Sequence, residues 1–248
     1  MRLVVVIPVY NEAALLERAI ARLEATPALP GGERVERVLV LVDDGSTDGS
    51  TELVRAMEGA GRAHAVVHAR NRGKGAALRT GFQKAMELGA DVVLVQDADL
   101  EYDPADHGAV LAPILDGRAD AVIGSRFIGT THRVLYYWHF LANRFITLCS
   151  NALTNLNLSD IECCSKAMTR AALERITIEE DRFGVEPELV AKLARLRLPD
   201  ERDAARVRQT RIYEVAVSYA GRTYEEGKKI TWRDGVRALV CIVKYNLR

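Results

Sequence analysis

Three acidic side chains fall within five residues at Asp97-Ala98-Asp99-Leu100-Glu101. The apolar run 92–95 precedes them, and the turn Asp103-Pro104 follows. Carboxylates this close repel one another unless a positive charge sits among them. A hard divalent cation, Mg²⁺ or Mn²⁺, is the natural partner, because such ions take carboxylate oxygens together with substrate phosphates. A solvated acidic loop is the plain alternative, and a strand-end pair of acids does not by itself separate the two.

Three further loops carry polar chemistry. Val42-Asp43-Asp44-Gly45-Ser46-Thr47-Asp48 closes a second apolar run. Gly45 permits a tight turn, and Ser46 suits a helix cap. Capping explains Ser46 and Asp48 but accounts less well for the double Asp, which is placed to meet a nucleobase or ribose. In Pro8-Val9-Tyr10-Asn11-Glu12, Tyr10 offers a face for a base and Glu12 an acceptor. Asn71-Arg72-Gly73-Lys74-Gly75 is a Gly-rich turn opening a helix, suited to close approach of a phosphate. It lacks P-loop spacing, and no GxGxxG follows the first apolar run, which disfavours a dinucleotide oxidoreductase.

The elements that must position these loops alternate. Residues 3–7, 35–42, 65–68, 91–96 and 120–123 are short, β-branched and nearly all apolar, as in strands buried on both faces. Residues 12–25, 48–59, 74–88 and 104–115 between them predict helices, with Asn11 and Ser46 at cap positions and Pro104 in a first turn. Such alternation predicts an α/β protein with a largely parallel sheet and helices on both faces, and ligands gather at the carboxyl ends of its strands. Further on, residues 134–156 predict one long helix with a wide apolar arc. A strand over 162–168, helices over 170–176 and 186–196, a strand over 212–217 and an amphipathic helix over 233–245 follow. The polar stretch 199–209 reads as a mobile loop.

Charge sharpens this picture. The 248 residues carry 34 Lys+Arg and 34 Asp+Glu, which excludes a uniformly basic nucleic-acid binder and an acidic disordered tail. Residues 1–124 hold 13 basic and 19 acidic side chains, whereas 125–248 hold 21 and 15. One half suits a cation and the other anions, although chance segregation on solvated faces produces the same count. Cys149, Cys163, Cys164 and Cys241 form no CxxC pair and read as reduced thiols. The opening apolar run has no cleavage site after it and reads as a strand rather than a signal peptide. The longest uncharged stretch, 145–159, is short of a spanning helix. The expectation is a cytoplasmic protein, soluble or peripheral on the cytoplasmic face of a membrane. His107, His132 and His139 lack metal-ligand spacing.

The strings PVYNE, VDDGSTDGS, NRGKGAAL and QDADLEYDP, in this order and at strand ends, resemble the nucleotide-sugar part of family 2 glycosyltransferases of the GT-A fold. The resemblance covers about residues 3–126. It implies a Rossmann-like, mostly parallel central sheet, with 1–126 binding the nucleotide-sugar and 127–248 completing a single domain through acceptor-side helices. Within the family it points to dolichyl-phosphate mannose synthases and bacterial polyprenyl-phosphate glycosyltransferases. Gly124-Ser125-Arg126-Phe127 is similar to their GSR motif. GRTYEEGKK keeps the spacing of Arg222 and Lys228 found in their RxYGESK, with Glu225-Glu226-Gly227 replacing the central GES.

The resemblance implies roles. Pro8, Tyr10, Glu12 and Asp44 hold the nucleoside. Asp97, Ala98 and Asp99 contact the donor, with Asp97, Asp99 and Glu101 as metal ligands. Arg126, Arg222 and Lys228 neutralise the donor diphosphate, and Arg126 and Arg144 receive an acceptor phosphate. Asp160 is the acidic residue after the long helix. Glu186 and Glu188 lie near where a general base falls in related enzymes, although acids in a first helical turn also complement the helix dipole. The implied activity is inverting, metal-dependent transfer of a hexose from a UDP- or GDP-sugar to a polyprenyl phosphate. Its alternative is a sugar hydroxyl acceptor in cell-surface glycan assembly. An ionised phosphate needs no base, whereas a hydroxyl does. The apolar arc of 134–156 then packs as core, meets a second copy, or rests on a bilayer with Tyr136, Tyr137 and Trp138 at the interface. A DxDx phosphatase is disfavoured, because that class carries its nucleophile on the first strand. A silent nucleotide-sugar sensor is disfavoured by the complete acidic triad.

Overall fold

In the computed structural model the described residues are 1–27, 35–129, 133–134, 136–200, 203–223, 225 and 232–247. The first strand, β1 (Arg2–Val9), shows how the core is built. Its side chains alternate between faces, as period two requires. Leu3, Val5, Ile7 and Val9 pack with Leu16, Ile20 and Leu23 of α1 (Ala13–Ala25). Val4 and Val6 pack on the other side with Ala77, Leu78, Phe82 and Ala85 of α3 (Lys74–Glu87). A strand covered on both faces has to read as a continuous apolar run.

The chain continues through β2 (Glu36–Asp43), α2 (Ser50–Gly59), β3 (His64–Val67), then α3, β4 (Val92–Val95), a 3-10 turn at Pro104–Asp106, α4 (His107–Leu115) and β5 (Ala121–Ser125). The second half supplies α5 (Tyr137–Thr154), β6 (Lys166–Thr169), α6 (Arg170–Leu173), α7 (Val185–Arg195), β7 (Arg197–Asp200), β8 (Asp203–Gln209), β9 (Ile212–Ala216) and α8 (Trp232–Asn246).

The central sheet has seven strands in the order β3-β2-β1-β4-β6-β5-β9. β1 pairs in parallel with β2 and β4, and β5 with β9, while β6 runs antiparallel to β4 and β5. The carboxyl ends of β1, β2, β4, β5 and β9 therefore share one edge. Only the reversed β6 brings its amino end there, and with it residues 160–166. A second-half strand thus sits inside the sheet begun by the first.

Two expectations need correction. Residues 199–200 and 203–209 are strand, not loop: β7 and β8 pair as an antiparallel ribbon. Arg208 and Arg211 tie it to buried Asp120, with Arg208 Nη2 at 2.8 Å and Arg211 N at 2.7 Å. A ribbon anchored by ion pairs has no need of the apolar alternation that marks a core strand. The caps also differ. Asp48, not Asn11, accepts the first amide of α1, from Ala13 at 3.0 Å, and it also accepts from Ser50 at the start of α2. Ser46 instead accepts the Asn11 amide at 2.9 Å.

Candidate active site

The shared edge collects the acidic loop between β4 and the 3-10 turn. Its two ends are bridged from behind. The Gln96 amide donates to Asp97 O and Tyr102 O at 3.2 and 3.3 Å, and its oxygen meets His107 Nε2 at 2.8 Å. Burial pushes the His107 imidazole down to about 4, so it is neutral at physiological pH. Leu100 adopts φ 63°, a left-handed conformation costly for a residue with a branched side chain. Strain of this kind persists where surrounding structure over-determines it.

The three acids do not converge. Asp97 turns to Lys74, whose ammonium lies 2.9 and 3.0 Å from its two oxygens and 2.8 Å from Cys164 Sγ. Burial works against the Lys74 charge, but Asp97, Cys164 and Glu186 hold its pKa well above the usual value. Asp99 and Glu101 turn instead to Arg222. Its Nη2 lies 2.9 Å from Asp99, and its Nε and backbone N lie 3.1 and 2.9 Å from one oxygen of Glu101. The same guanidinium reaches Glu12 at 3.3 Å. Burial, with the Asp97 and Glu101 charges, pushes the Asp99 carboxyl up to about 7.

Among the described residues, no three His, Cys, Asp or Glu side chains form a ready metal cage. The donor set still fits a hard cation. Asp99 and Glu101 offer carboxylate oxygens and already share one positive group, the Arg222 guanidinium. Two carboxylates plus a substrate diphosphate make an ordinary magnesium or manganese environment.

Arg126 leaves the end of β5 and is held from below by Asp160. Nε and Nη2 donate to the two carboxylate oxygens at 2.7 and 2.8 Å. Burial opposes both charges, but the pairing keeps Asp160 below and Arg126 well above their usual pKa values. Tyr219 links the two arginines. Its ring lies 5.1 Å from the Arg126 guanidinium, and its hydroxyl donates to Glu101 at 3.0 Å. Asn143 of α5 also donates to Asp160, at 3.2 Å. Arg144, one residue on, is exposed.

Several expected site residues are also engaged within the protein. Asp44 accepts from Arg72 N, Gly73 N and His68 Nδ1 at 2.9, 2.6 and 2.7 Å, so it anchors the 71–75 turn. Asp43 accepts from Thr51 and Ser46 within its own turn. The double Asp is thus accounted for by loop construction. The glycines of that turn answer to packing: a Cβ on Gly75 would meet Glu180 O at 2.1 Å, and one on Gly73 would meet Asp181 O at 2.3 Å. Glu188 is fully buried and accepts from Glu179 N, Glu180 N and Lys192, which binds the 179–180 segment to α7. Glu186 pairs with buried Lys166 and lies 3.7 Å from Lys74. Its Oε1 has no hydrogen-bond partner. Pro8 and Tyr10 flank the end of β1, Tyr10 exposed, and Ala98 is buried. Lys228 and His132 lie outside the described residues.

Lys166, Glu162 and Tyr219 lie at this edge outside the motifs, whereas Lys74 lies inside the NRGKGAAL turn and proves to be the partner of Asp97. Burial, then the Glu186 charge, pushes the Glu162 carboxyl up to about 7. A signal existed for two of them. Lys166 opens the otherwise largely apolar strand β6 and Glu162 lies in the turn just before it, and charged residues in so apolar a stretch are rarely buried without a partner. Tyr219 carried no signal.

A seven-stranded sheet of this order, with an acidic strand-end loop facing two arginines, defines a GT-A glycosyltransferase fold. The chain belongs to glycosyl transferase family 2, whose family model matches residues 4–177. It is 30% identical over 228 residues to an undecaprenyl-phosphate 4-deoxy-4-formamido-L-arabinose transferase of Aeromonas hydrophila, covering 90% of this chain and 61% of that protein. It is 30% identical over 181 residues to a polyprenol monophosphomannose synthase of Mycolicibacterium smegmatis, covering 71% and 65%. The chain thus spans between half and two thirds of the length of such relatives. Among solved structures it is similar to glucosyl-3-phosphoglycerate synthase of Mycobacterium tuberculosis in complex with Mn²⁺, UDP and glucosyl-3-phosphoglycerate. The TM-score is 0.68 at 19% identity, covering 99% of this chain and 79% of that one. Mannosyl-3-phosphoglycerate synthase of Rubrobacter xylanophilus gives a TM-score of 0.65 at 16% identity, covering 98% and 73%.

Proposed function

We propose that the protein is an inverting glycosyltransferase that moves a hexose from a UDP- or GDP-sugar to a polyprenyl phosphate with Mg²⁺ or Mn²⁺. The observation that carries this reading is the gathering, at one sheet edge, of the Asp99 and Glu101 carboxylates, paired with Arg222, and of Arg126, paired with Asp160. Acids are present for a cation, and guanidinium groups for phosphates.

The base and ribose would lie against Pro8, Tyr10 and Glu12, with Asp97 kept ionised by Lys74 at the ribose side. A divalent ion bound by Asp99 and Glu101 would add positive charge beside the departing diphosphate. Arg222 and Lys228 would share that load from the protein side, as preorganised charge must to stabilise the transition state. Arg126, oriented by Asp160, would hold the incoming phosphate opposite the leaving group, so that attack inverts the anomeric carbon. An ionised phosphate already carries its nucleophilic oxygen, so no side chain need remove a proton.

The acceptor reading gains from the surroundings of Arg126. α5, which reaches Asp160 through Asn143, turns Trp138, Phe145 and Leu148 outward at 73, 54 and 65% exposure. Against it packs α8, through Ile146, Ala238 and Ile242. α8 likewise exposes Trp232, Val236, Val240 and Val243. Among the described residues, no helix is long and apolar enough to cross a membrane. A two-helix apolar face beside a phosphate-binding arginine suits contact with a lipid surface, with Arg144 at its margin toward the headgroups. The relatives named above as undecaprenyl-phosphate and polyprenol transferases agree with this acceptor class.

The test is turnover of UDP- and GDP-sugars with each metal, with and without polyprenyl phosphate, using Asp99→Ala as control. Stimulation by the lipid phosphate that disappears in the variant is the expected result. Metal-dependent hydrolysis indifferent to lipid phosphate would overturn the acceptor and move attention to a glycan hydroxyl, with Glu186 as its base.

A further inference from the structure

We propose that Arg222 is a built-in competitor for the metal position, holding Asp99 and Glu101 until a donor diphosphate draws its guanidinium away. The inference rests on the nucleotide-sugar reading of the site and concerns how that site is loaded.

The carboxylate oxygens are spoken for. Asp99 Oδ2 accepts from Arg222 Nη2 at 2.9 Å, and Asp99 Oδ1 from Glu101 N at 3.1 Å. Glu101 Oε1 accepts from Arg222 Nε and N at 3.1 and 2.9 Å, and Oε2 from Tyr219 at 3.0 Å. A divalent ion sits about 2.1 Å from carboxylate oxygens. An ion on Asp99 and Glu101 would therefore lie within a few ångströms of a guanidinium bonded to the same oxygens. At that separation, in a site shielded from solvent, two positive charges repel each other strongly. The two cations therefore oppose each other at these oxygens.

The side chain can leave without the loop leaving. Arg222 N and Ala220 N are bonded to Glu101, and Tyr102 bridges to Tyr219, so the backbone at 219–222 is fixed by contacts that the guanidinium does not make. Once displaced from Asp99 and Glu101, a guanidinium only 15% exposed keeps Glu12 at 3.3 Å as its one carboxylate among the described residues and can take a further anion. The donor diphosphate is the anion whose planar oxygen pairs match its fork. Metal and nucleotide are then coupled: each removes the partner that opposes the other, and linkage makes the coupling reciprocal.

Mn²⁺ binding to the whole chain, followed by the electron-spin resonance of the free ion, tests this without turnover. Wild type, Arg222→Gln and Arg222→Lys are titrated alone and with UDP or GDP, and Asp99→Asn marks the site. Arg222→Gln should bind Mn²⁺ without nucleotide about tenfold more tightly than wild type, a typical coupling magnitude. Arg222→Lys, which keeps the charge but loses the fork, should fall between them and serves if the Gln variant does not fold. Nucleotide should tighten Mn²⁺ in wild type by more than in either variant. Equal or weaker Mn²⁺ binding in both variants without nucleotide overturns the competitor. Failure of UDP and GDP to affect wild type would instead count against the functional reading, while the nucleotide-free comparison still decides the role of Arg222.

Discussion

Asp160 and Arg126 form a two-pronged ion pair with the carboxylate fully buried beneath the guanidinium. Removing one member of such a pair strands the other, at a cost of about 3–5 kcal/mol. Asn keeps one acceptor, so Asp160→Asn should lose about 2–3 kcal/mol and lower Tm by roughly 4–12 °C. Arg126 would lose its orientation, and acceptor-dependent turnover should fall about 100-fold. A thermal melt and a turnover assay read the two effects. Unchanged turnover would show that Arg126 positions itself.

Glu162 gives a pH signature. Its folded-state value of about 7 exceeds the ordinary 4.5, so the native state holds more protons than the unfolded chain between those values. Stability contributed by this position therefore falls as pH rises from 4.5 through 7. The charged groups acting on it are Glu186, Lys166, Arg126 and Asp160. Glu162→Gln should match wild type near pH 4.5 and exceed it by roughly 1–3 kcal/mol at pH 8. Urea unfolding at the two pH values reads the difference, and a pH-independent offset would refute the assignment.

Asp120 behaves oppositely. Burial opposes its charge, but Arg208 and Arg211 hold it down at about 2. Its contribution is present above pH 3.8 and disappears as pH falls through 2. Asp120→Ala should cost about 2–4 kcal/mol at neutral pH. The gap to wild type should narrow between pH 4 and 2. Limited proteolysis should show the β7–β8 ribbon cut first, and protection equal to wild type would show that the ribbon does not depend on Asp120.

The outward face of α5 can be tested apart from catalysis. The triple change Trp138→Ser, Phe145→Ser, Leu148→Ser removes apolar area worth about 1.5–3 kcal/mol per side chain when fully buried. Sedimentation with anionic vesicles should weaken by at least about 100-fold. Metal-dependent hydrolysis of the sugar nucleotide in solution should persist. Undiminished vesicle binding would assign the face to another contact.

Much of the frame is legible in the residues. Strands buried on both faces must be apolar without a break, and that pattern marks β1, β2, β4 and β5 before any coordinate is seen. The β7–β8 ribbon is not legible in this way because ion pairs to Asp120, rather than apolar alternation, hold it in place. The glycines at 73 and 75 suggested a phosphate cradle, yet what they accommodate is the backbone at 180–181, a segment about a hundred residues away in the chain. The cap of α1 was misplaced for the same reason, since Asp48 reaches it from the next turn.

Residue types and spacing are enough to place carboxylates at strand ends, to draw the arginines from the second half, and to mark the likeness to glycosyl transferase family 2. Which charge meets which is set by the fold. Asp97 belongs to Lys74, Asp160 to Arg126, and Asp99 and Glu101 to Arg222, whose other partner, Glu12, is 210 residues away. Periodicity is a local property, because neighbours along the chain share one backbone geometry. Ion pairing is not local: it depends on distance through space, which is set by strand order. Here the single reversed strand β6 carries Lys166, with Asp160 and Glu162 just before it, to an edge otherwise made of carboxyl ends.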